Sequence, residues 1–220
     1  MIYAMSDIHG NYAKYKKMLE KIDFTEKDTM FLLGDVIDRG ADGIQILLDM
    51  MARKNIIPLL GNHEKIMLDS LFCDDDSYKN LDLWLQNGGA PTYQAFFQLS
   101  VFEQKRIFRY LTSFSRYAEC QIENKKSENK KFVLVHGGPG NYQTGRKLSD
   151  YSLDELLWTR IDMKKRYFDD NTYLVVGHTP TFMINPGCTG ILKIGNNINI
   201  DCGCGRLGCI ELTSMKEYYV

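Results

Sequence analysis

The sequence contains the stretch Phe31-Leu-Leu-Gly-Asp-Val-Ile-Asp-Arg-Gly40, in which an apolar run stops at a glycine and charged residues follow. A buried strand that ends in this way delivers polar side chains to the edge of a sheet, where open α/β folds place their ligands. Here those side chains belong to Asp35, Asp38 and Arg39. The stretch therefore predicts a strand with a candidate functional site at its end.

The same pattern, a short apolar run followed by small and polar residues, occurs four more times along the chain. The polar segments are Ser6-Asp-Ile-His-Gly10, Gly61-Asn-His-Glu64, His136-Gly-Gly138 and Gly177-His-Thr179. Amphipathic helical patterns lie between the first three apolar runs, and this alternation predicts parallel strands joined by right-handed crossovers. We therefore expect five strands to bring their polar ends to one edge.

The four histidines of the chain all lie in these strand-end segments, as His9, His63, His136 and His178. A single histidine after a strand is usually a surface or hydrogen-bonded residue. Four at the same topological position, together with Asp7, Asp35 and Asn62, instead predict a shared metal site. Imidazole nitrogen with carboxylate and amide oxygen suits manganese, iron or zinc, and lacks the thiolates of a structural zinc finger.

The bulk composition is that of an ordinary globular protein and limits the classes of partner. Of the 220 residues, 44% are hydrophobic and 25% are charged, which suits one domain over residues 1–220. The net charge of −1 argues against nucleic-acid or membrane-surface binding, so an anionic substrate must be held by local charge. No apolar run is long enough to span a bilayer, and cleavage of a signal peptide would remove Asp7 and His9. We therefore expect a cytoplasmic protein, and its oligomeric state stays open.

The six cysteines, at positions 73, 120, 188, 202, 204 and 209, permit more than one interpretation. The cluster Cys202-Gly-Cys204 with Cys209 resembles a zinc site, but its spacing matches no standard pair of zinc ligands. Reduced thiols beside a glycine-rich turn are the favoured interpretation in a cytoplasmic chain, and a redox-sensitive cluster is the alternative.

The middle and end of the chain predict helices and then short strands. Residues 68–112 are largely helical in pattern, with interruptions at the acidic run Cys73-Asp-Asp-Asp76 and at Asn87-Gly-Gly-Ala-Pro91. We interpret Trp84-Leu-Gln-Asn-Gly-Gly89 as a loop with a packed aromatic anchor, structural first and substrate-contacting second. A hairpin with an exposed polar turn over residues 123–130 follows. The short strands after Thr179 predict a second, mostly antiparallel sheet packed on the first.

The five strand-end motifs, in their order along the chain, closely resemble those of the phosphoprotein phosphatase family of metallophosphoesterases, with bacterial and phage-type members nearest. They extend from residue 6 to residue 179. The resemblance implies an α/β fold, a β-sandwich of two mixed sheets flanked by helices. It also implies hydrolysis of phosphomonoesters, with phosphoserine or phosphothreonine on proteins as the favoured substrate and a small phosphoester as the other.

The resemblance further implies two divalent metal ions, manganese first with iron or zinc as alternatives, and a role for each residue of the site. The implied ligands are Asp7, His9 and Asp35 for one ion, and Asp35, Asn62, His136 and His178 for the other. A hydroxide shared by the two ions would attack phosphorus. Arg39 would grip the phosphate, with Arg160 as a second arginine by a looser match. His63 would protonate the leaving oxygen, and Asp38 would orient His63.

Other acidic residues and loops near the motifs have no expected role in catalysis. Glu64 and Asp201 are expected to be structural, capping or bracing loops. Residues 201–208 lack the loop through which eukaryotic members of the family meet inhibitors and regulatory subunits, so those partners are not expected.

Two alternative functions accompany this assignment. A symmetrical dinucleoside tetraphosphate is the alternative substrate, although Asp38 and the Glu64 that follows His63 favour a phosphoprotein. A catalytically silent phospho-binding protein would lack a ligand or His63, and none is missing.

Overall fold

We analysed a computed structural model that describes residues 1–72, 77–123, 129–203 and 205–220, apart from the side chains of residues 72, 77 and 78. The described strands are β1 (Ile2–Met5), β2 (Thr29–Leu32), β3 (Ile56–Pro58), β4 (Tyr117–Ile122), β5 (Lys130–Val135), β6 (Thr172–Val176), β7 (Leu192–Ile194), β8 (Asn197–Asn199), β9 (Gly208–Glu211) and β10 (Lys216–Tyr219). The described α-helices are α1 (Tyr12–Lys21), α2 (Gly43–Met51), α3 (Asn62–Phe72), α4 (Ser77–Trp84), α5 (Ala90–Phe97), α6 (Val101–Leu111), α7 (Leu153–Leu157) and α8 (Thr181–Ile184).

The strands form two five-stranded sheets, and each sheet is mixed. The first has the order β10-β9-β1-β2-β3, with β1, β2 and β3 parallel and β9 antiparallel to β1. The second has the order β4-β5-β6-β8-β7, with β5, β6 and β8 parallel and both edge strands antiparallel to their neighbours. The predicted parallel β-α-β-α-β unit at the start of the chain is confirmed.

The two sheets pack face to face, and helices cover the outer faces. Strand β2 illustrates the layers, because successive side chains of a strand point to opposite faces. Phe31 packs between the sheets with Leu134 of β5, whereas Met30 and Leu32 pack on the other face with the side chains of α1 and α2. The predicted sandwich of two mixed sheets flanked by helices is confirmed.

Helix starts follow local sequence signals. The Asn11 side chain accepts a hydrogen bond from the Lys14 N–H and caps α1. Ser152 caps α7 in the same way and forms a capping box with Glu155. Such caps satisfy N–H groups that the first helical turn leaves without partners.

Two predictions are wrong, one about the pairing of the closing strands and one about the conformation of residues 84–89. The closing strands do not form a separate antiparallel sheet, because β7 and β8 extend the second sheet while β9 and β10 extend the first. An alternating pattern identifies a strand but does not choose its neighbour, which depends on contacts distant in sequence. Residues Leu85–Gly89 are not a loop but a π-helical turn between α4 and α5. Gly88, at φ 93°, lets the helix change direction there without a steric penalty.

The described cysteines are free thiols. Burial raises the pKa of Cys202 to about 12 and raises that of Cys209 further, so neither is a thiolate at neutral pH. Candidate metal-binding groups among the described residues contain no cysteine. Cys204, the acidic run at 73–76 and most of the polar turn predicted at 123–130 lie outside the described residues. In the ranges described, we find no helix with the length and hydrophobicity needed to cross a membrane.

Candidate metal centre

The carboxyl ends of five strands, three from the first sheet and two from the second, meet in one region. Backbone hydrogen bonds join the segments that follow them. The N–H groups of Asp7 and His9 donate to the carbonyls of Gly34 (3.2 Å) and Asp35 (2.9 Å), and Gly177 donates to the carbonyl of His136 (2.8 Å). The predicted convergence of strand ends is therefore present, but it spans both sheets and not the edge of one.

Two glycines allow these segments to approach each other closely. A Cβ atom at Gly61 would collide with the backbone N and Oδ1 of Asp35, and one at Gly177 would collide with the side chains of Ser6 and Asp7. Neither position has room for a side chain. The glycines of the motifs therefore bring the segments that carry the carboxylates to contact distance.

Backbone strain is concentrated in the same region. Nine described non-glycine residues have a positive φ, and six of them are predicted site residues: Asp7, His9, Asp35, Asp38, Arg39 and His178. A left-handed conformation costs a residue with a side chain about 1–2 kcal/mol. Such residues persist where the surrounding structure holds them, which is commonly the case at functional sites.

The predicted ligands of the second metal ion lie in contact. Asn62 Oδ1 is 2.8 Å from His136 Nε2 and 2.9 Å from His178 Nδ1, and Asp35 Oδ1 is 3.4 Å from His136 Nε2. Asp35, Asn62 and His136 are buried, and His178 is partly exposed. The ligand atoms of Asp35, His136 and His178 all lie within 4.8 Å of one another.

The hydrogen bonds of His136 show that its nitrogen near Asn62 is an acceptor. His136 Nδ1 lies 2.6 Å from the carbonyl of Leu33, to which it donates, so Nε2 carries a lone pair. The backbone of Trp158 hydrogen-bonds His178, and His178 Nδ1 lies 2.9 Å from Asn62 Oδ1. The lone pair of His136 Nε2 and the amide oxygen of Asn62, 2.8 Å apart, repel unless a cation lies between them. The donor set therefore fits a metal ion, with its imidazoles fixed by outer hydrogen bonds as metal ligands usually are.

A second group of acceptors lies on the other side of Asp35. His9 Nδ1 is 3.2 Å from the carbonyl of Ile37, and His9 Nε2 faces Asp7 Oδ1 at 3.9 Å and Asp35 Oδ2 at 3.8 Å. His63 Nε2 also lies 3.8 Å from Asp35 Oδ2. Asp35 thus directs one oxygen toward each group, as a carboxylate that bridges two ions would.

The imidazoles of His9, His136 and His178 are held in their neutral form. Burial, followed by the charge of Arg39, lowers the pKa of His9 to about 3. Burial, followed by Arg160, lowers the pKa of His178 to about 4, and burial with His178 holds the pKa of His136 well below its usual value. Because only neutral imidazole binds a metal, these groups are ready to do so at any physiological pH.

The carboxylates are crowded. Burial and the nearby charge of Asp7 raise the pKa of Asp35 well above its ordinary value, and burial with Asp201 does the same for Asp7. Burial also raises the pKa of Asp201 to about 6. Divalent cations would remove this penalty by pairing with the ionised forms.

The predicted proton donor His63 lies between Asp38 and Arg39. His63 Nδ1 is 2.7 Å from Asp38 Oδ2, and Arg39 Nη2 is 3.3 Å from His63 Nε2. Asp38 and His63 are buried, whereas Arg39 is exposed. The predicted pairing of Asp38 with His63 is therefore present.

Arg160 is the predicted residue with the loosest connection to the site. It is exposed, and its Nη1 lies 3.9 Å from Met183 Sδ. Its charge is nevertheless the second cause of the lowered pKa of His178, which indicates that the guanidinium lies near that histidine.

Glu64 contacts backbone rather than ligands. Oε1 accepts from the N–H groups of Val36 (2.8 Å) and Ile37 (3.3 Å), and Oε2 accepts from Asp35 (2.9 Å) and Gly61 (3.0 Å). Burial raises its pKa, and the hydrogen bonds from Asp35 and Val36 act against burial. Glu64 thus braces two strand-end segments against each other, in accord with the role expected for it. Asp201 accepts from the Gly203 N–H in a similar local turn.

Two residues that contact the site were missed by the sequence interpretation. Trp84 Nε1 donates to both oxygens of Asp38, at 3.1 and 3.0 Å, and Thr92 Oγ1 accepts from the Asp38 N–H at 2.9 Å. Trp84 was interpreted as a packed anchor, and its burial agrees with that. The sequence signal for anything more is only its position at the start of Trp84-Leu-Gln-Asn-Gly-Gly89.

A family model described as calcineurin-like phosphoesterase matches residues 1–201. The chain belongs to the calcineurin-like phosphoesterase family. It is similar to serine/threonine-protein phosphatase 2 of Escherichia coli (strain K12), with 27% identity over 98% of this chain and 93% of that protein. It is also similar to a symmetrical bis(5'-nucleosyl)-tetraphosphatase of Buchnera aphidicola subsp. Schizaphis graminum, with 40% identity over 62% of this chain and 44% of that one.

Among solved structures, a protein serine/threonine phosphatase from Saccharomyces cerevisiae superimposes with a TM-score of 0.61. The match covers 95% of this chain and 72% of that one at 16% identity, and it confirms the fold. Calcineurin-like phosphoesterases use a dinuclear metal site, and the two acceptor groups on either side of Asp35 are candidates for it. The resemblance to phosphoprotein phosphatases noted in the motifs is confirmed at the level of the family.

Proposed function

We propose that this calcineurin-like phosphoesterase is a metal-dependent serine/threonine protein phosphatase. The observation that carries the proposal is the position of Asp35, whose two carboxylate oxygens face separate groups of acceptors. We assign Asp7, His9 and Asp35 to one ion and Asp35, Asn62, His136 and His178 to the other, with manganese as the first choice and iron or zinc as alternatives. Two such ions supply Lewis-acid activation of the attacking water and charge stabilisation at the phosphoryl oxygens.

The arginines bind the phosphoryl group in this proposal. Arg39 is exposed at one side of the acceptor groups, and its planar guanidinium can donate two parallel hydrogen bonds to phosphate oxygens. Arg160, also exposed, approaches from the side of His178. Since the whole chain has a net charge of −1, attraction of a phosphate depends on this local positive charge.

His63 acts as the general acid. Its Nδ1 donates to Asp38, so Nε2 is the atom that can carry a proton toward the leaving oxygen. His63 Nε2 also lies near Asp35, which makes it a geometric candidate for the first ion. We assign it to proton transfer because Arg39, which is to bind the phosphate, contacts that same nitrogen at 3.3 Å. Asp38 fixes the tautomer and orientation of the ring.

A symmetrical dinucleoside tetraphosphatase is the second candidate function. Tetraphosphatases share up to 42% identity with parts of the chain. The alignment with the Buchnera tetraphosphatase, however, covers only 44% of that protein. The Escherichia coli phosphatase aligns over nearly its whole length, and this supports the first candidate. The single domain over residues 1–220, the cytoplasmic location and the absence of nucleic-acid partners stay predictions.

The test is a comparison of three substrates on one preparation. Metal analysis of freshly purified protein would precede assays of kcat/KM with p-nitrophenyl phosphate, a phosphoserine peptide and diadenosine tetraphosphate. We expect the phosphopeptide to exceed the tetraphosphate by at least about tenfold, which is about 1.4 kcal/mol of transition-state binding. The reverse order would establish the second candidate. Failure of all three substrates with manganese, iron or zinc restored after chelation would contradict phosphoester hydrolysis.

A further inference from the structure

The corner between α4 and α5, residues 84–92, contacts the Asp38-Arg39 segment at three points. Trp84 Nε1 donates to both carboxylate oxygens of Asp38 (3.1 and 3.0 Å), and Thr92 Oγ1 accepts from the Asp38 backbone N–H (2.9 Å). The Gly88 carbonyl accepts from the backbone N–H of Arg39 (2.8 Å). Two residues with assigned roles are therefore held by a corner that contributes none of the proposed metal ligands.

The contact between Trp84 and Asp38 is fully buried, with both residues at 0% exposure. A buried carboxylate needs donors, and among the residues that the structure describes the Asp38 carboxylate bonds the indole of Trp84 and the imidazole of His63. An indole N–H can donate but cannot accept, so it can only hold Asp38 as an acceptor. Because the indole holds both oxygens and the imidazole holds Oδ2, the carboxylate cannot rotate without losing a hydrogen bond.

Packing alone accounts for part of this arrangement. Trp84 lies in the core cluster on the helical side of the first sheet, and its ring meets that of Tyr93 at 5.9 Å. Packing explains why an aromatic residue occupies the position. It does not explain why the single polar atom of the ring is directed at the carboxylate that holds His63.

We propose that Trp84 is a positioning residue that keeps Asp38 oriented toward His63, so that His63 is aimed at the leaving oxygen. The inference rests on the proposed function, because it presupposes that His63 is the general acid. Loss of the indole N–H would free the carboxylate to turn and would let the imidazole depart from its alignment. The resulting loss of kcat should be larger for substrates whose leaving group needs protonation.

The test compares Trp84→Phe with the wild type on two aryl phosphates. Phenolate is a poor leaving group that needs protonation, whereas p-nitrophenolate leaves readily without it. General acid catalysis contributes about 10²–10⁴-fold, so we expect kcat on phenyl phosphate to fall by about tenfold or more and kcat on p-nitrophenyl phosphate to fall less than about threefold. Equal losses on both substrates would overturn the proposal and leave Trp84 as a packing residue.

Phe96→Leu is the matched control. Phe96 is buried at 3% exposure in the same core cluster, so its truncation loosens the same region without removing a donor from Asp38. We expect any loss of activity in this variant to be the same for both substrates. If Trp84→Phe does not fold, Trp84→Met fills much of the volume, also lacks a donor, and carries the same test. A selective loss in Phe96→Leu as well would contradict a role specific to the indole N–H.

A double substitution separates this inference from the proposed function. If Trp84 acts through His63, adding Trp84→Phe to His63→Asn should cause no further selective loss on phenyl phosphate. An additional selective loss would overturn the inference alone. If His63→Asn by itself is not selective for the poor leaving group, the general-acid assignment within the proposed function is wrong.

Discussion

Replacement of Glu64 by glutamine would test whether the strand-end segments are held together by one buried carboxylate. Its two oxygens accept hydrogen bonds from four backbone N–H groups, those of Asp35, Val36, Ile37 and Gly61, at 2.8–3.3 Å. Glutamine has nearly the same shape, but one of its oxygens is replaced by an amide NH2. Whichever way the amide turns, two buried backbone N–H groups then face a donor instead of an acceptor.

The magnitude follows from that count. A buried donor left without a partner costs about 1–3 kcal/mol, so two of them lower the free energy of unfolding by about 2–6 kcal/mol. Domains are typically stable by about 5–15 kcal/mol, which makes this a large fraction of the total. For a chain of this size, each kcal/mol corresponds to a fall in Tm of about 2–4 °C.

The assay is urea unfolding of chelated protein, in which metal binding does not contribute to stability. Glu20→Gln on the exposed face of α1 is the matched control, and we expect it to change the free energy of unfolding by no more than about 0.5 kcal/mol. Metal content of Glu64→Gln should also fall, because either orientation of the amide leaves at least one N–H of the segment 35–37, which carries Asp35, without an acceptor. A free energy of unfolding within about 1 kcal/mol of the wild type would refute the bracing role.

Two further predictions concern the carboxylates. Asp35→Asn should abolish metal-dependent turnover and reduce the metal bound at both acceptor groups. Inductively coupled plasma mass spectrometry measures the bound metal, and retention of two ions per chain would contradict the bridging role. Asp201, with a pKa of about 6 against 3.8, gives the folded chain a stability that is present below about pH 4 and lost as pH rises through about 6. Asp201→Asn should therefore gain about 3 kcal/mol relative to the wild type between pH 4 and 7 in urea unfolding of chelated protein, and a constant difference would contradict this.

The sequence alone identified the strands that carry the site, because the end of each strand is marked by a change from apolar to polar residues within a few positions. An apolar run that gives way to aspartate, asparagine or histidine, directly or after one glycine or serine, is a local pattern, and it does not depend on the rest of the fold. The metal-binding chemistry was also readable from residue types, since imidazoles with carboxylates and an amide suit few purposes other than a metal site. The caps that the structure shows at Asn11 and Ser152 are local contacts too, because each side chain accepts from an N–H three residues further along the chain.

Only the tertiary structure decided which strands are neighbours and which side chains support the site. The short closing strands divide between the two sheets, and the alternation of apolar and polar residues along them does not indicate which sheet each one joins. Trp84 and Thr92 lie 46 and 54 residues from Asp38, so no window of sequence contains both ends of either hydrogen bond. Local sequence specifies the form of each segment through its own backbone and side chains, whereas contacts across the chain are selected by the packing of the whole fold.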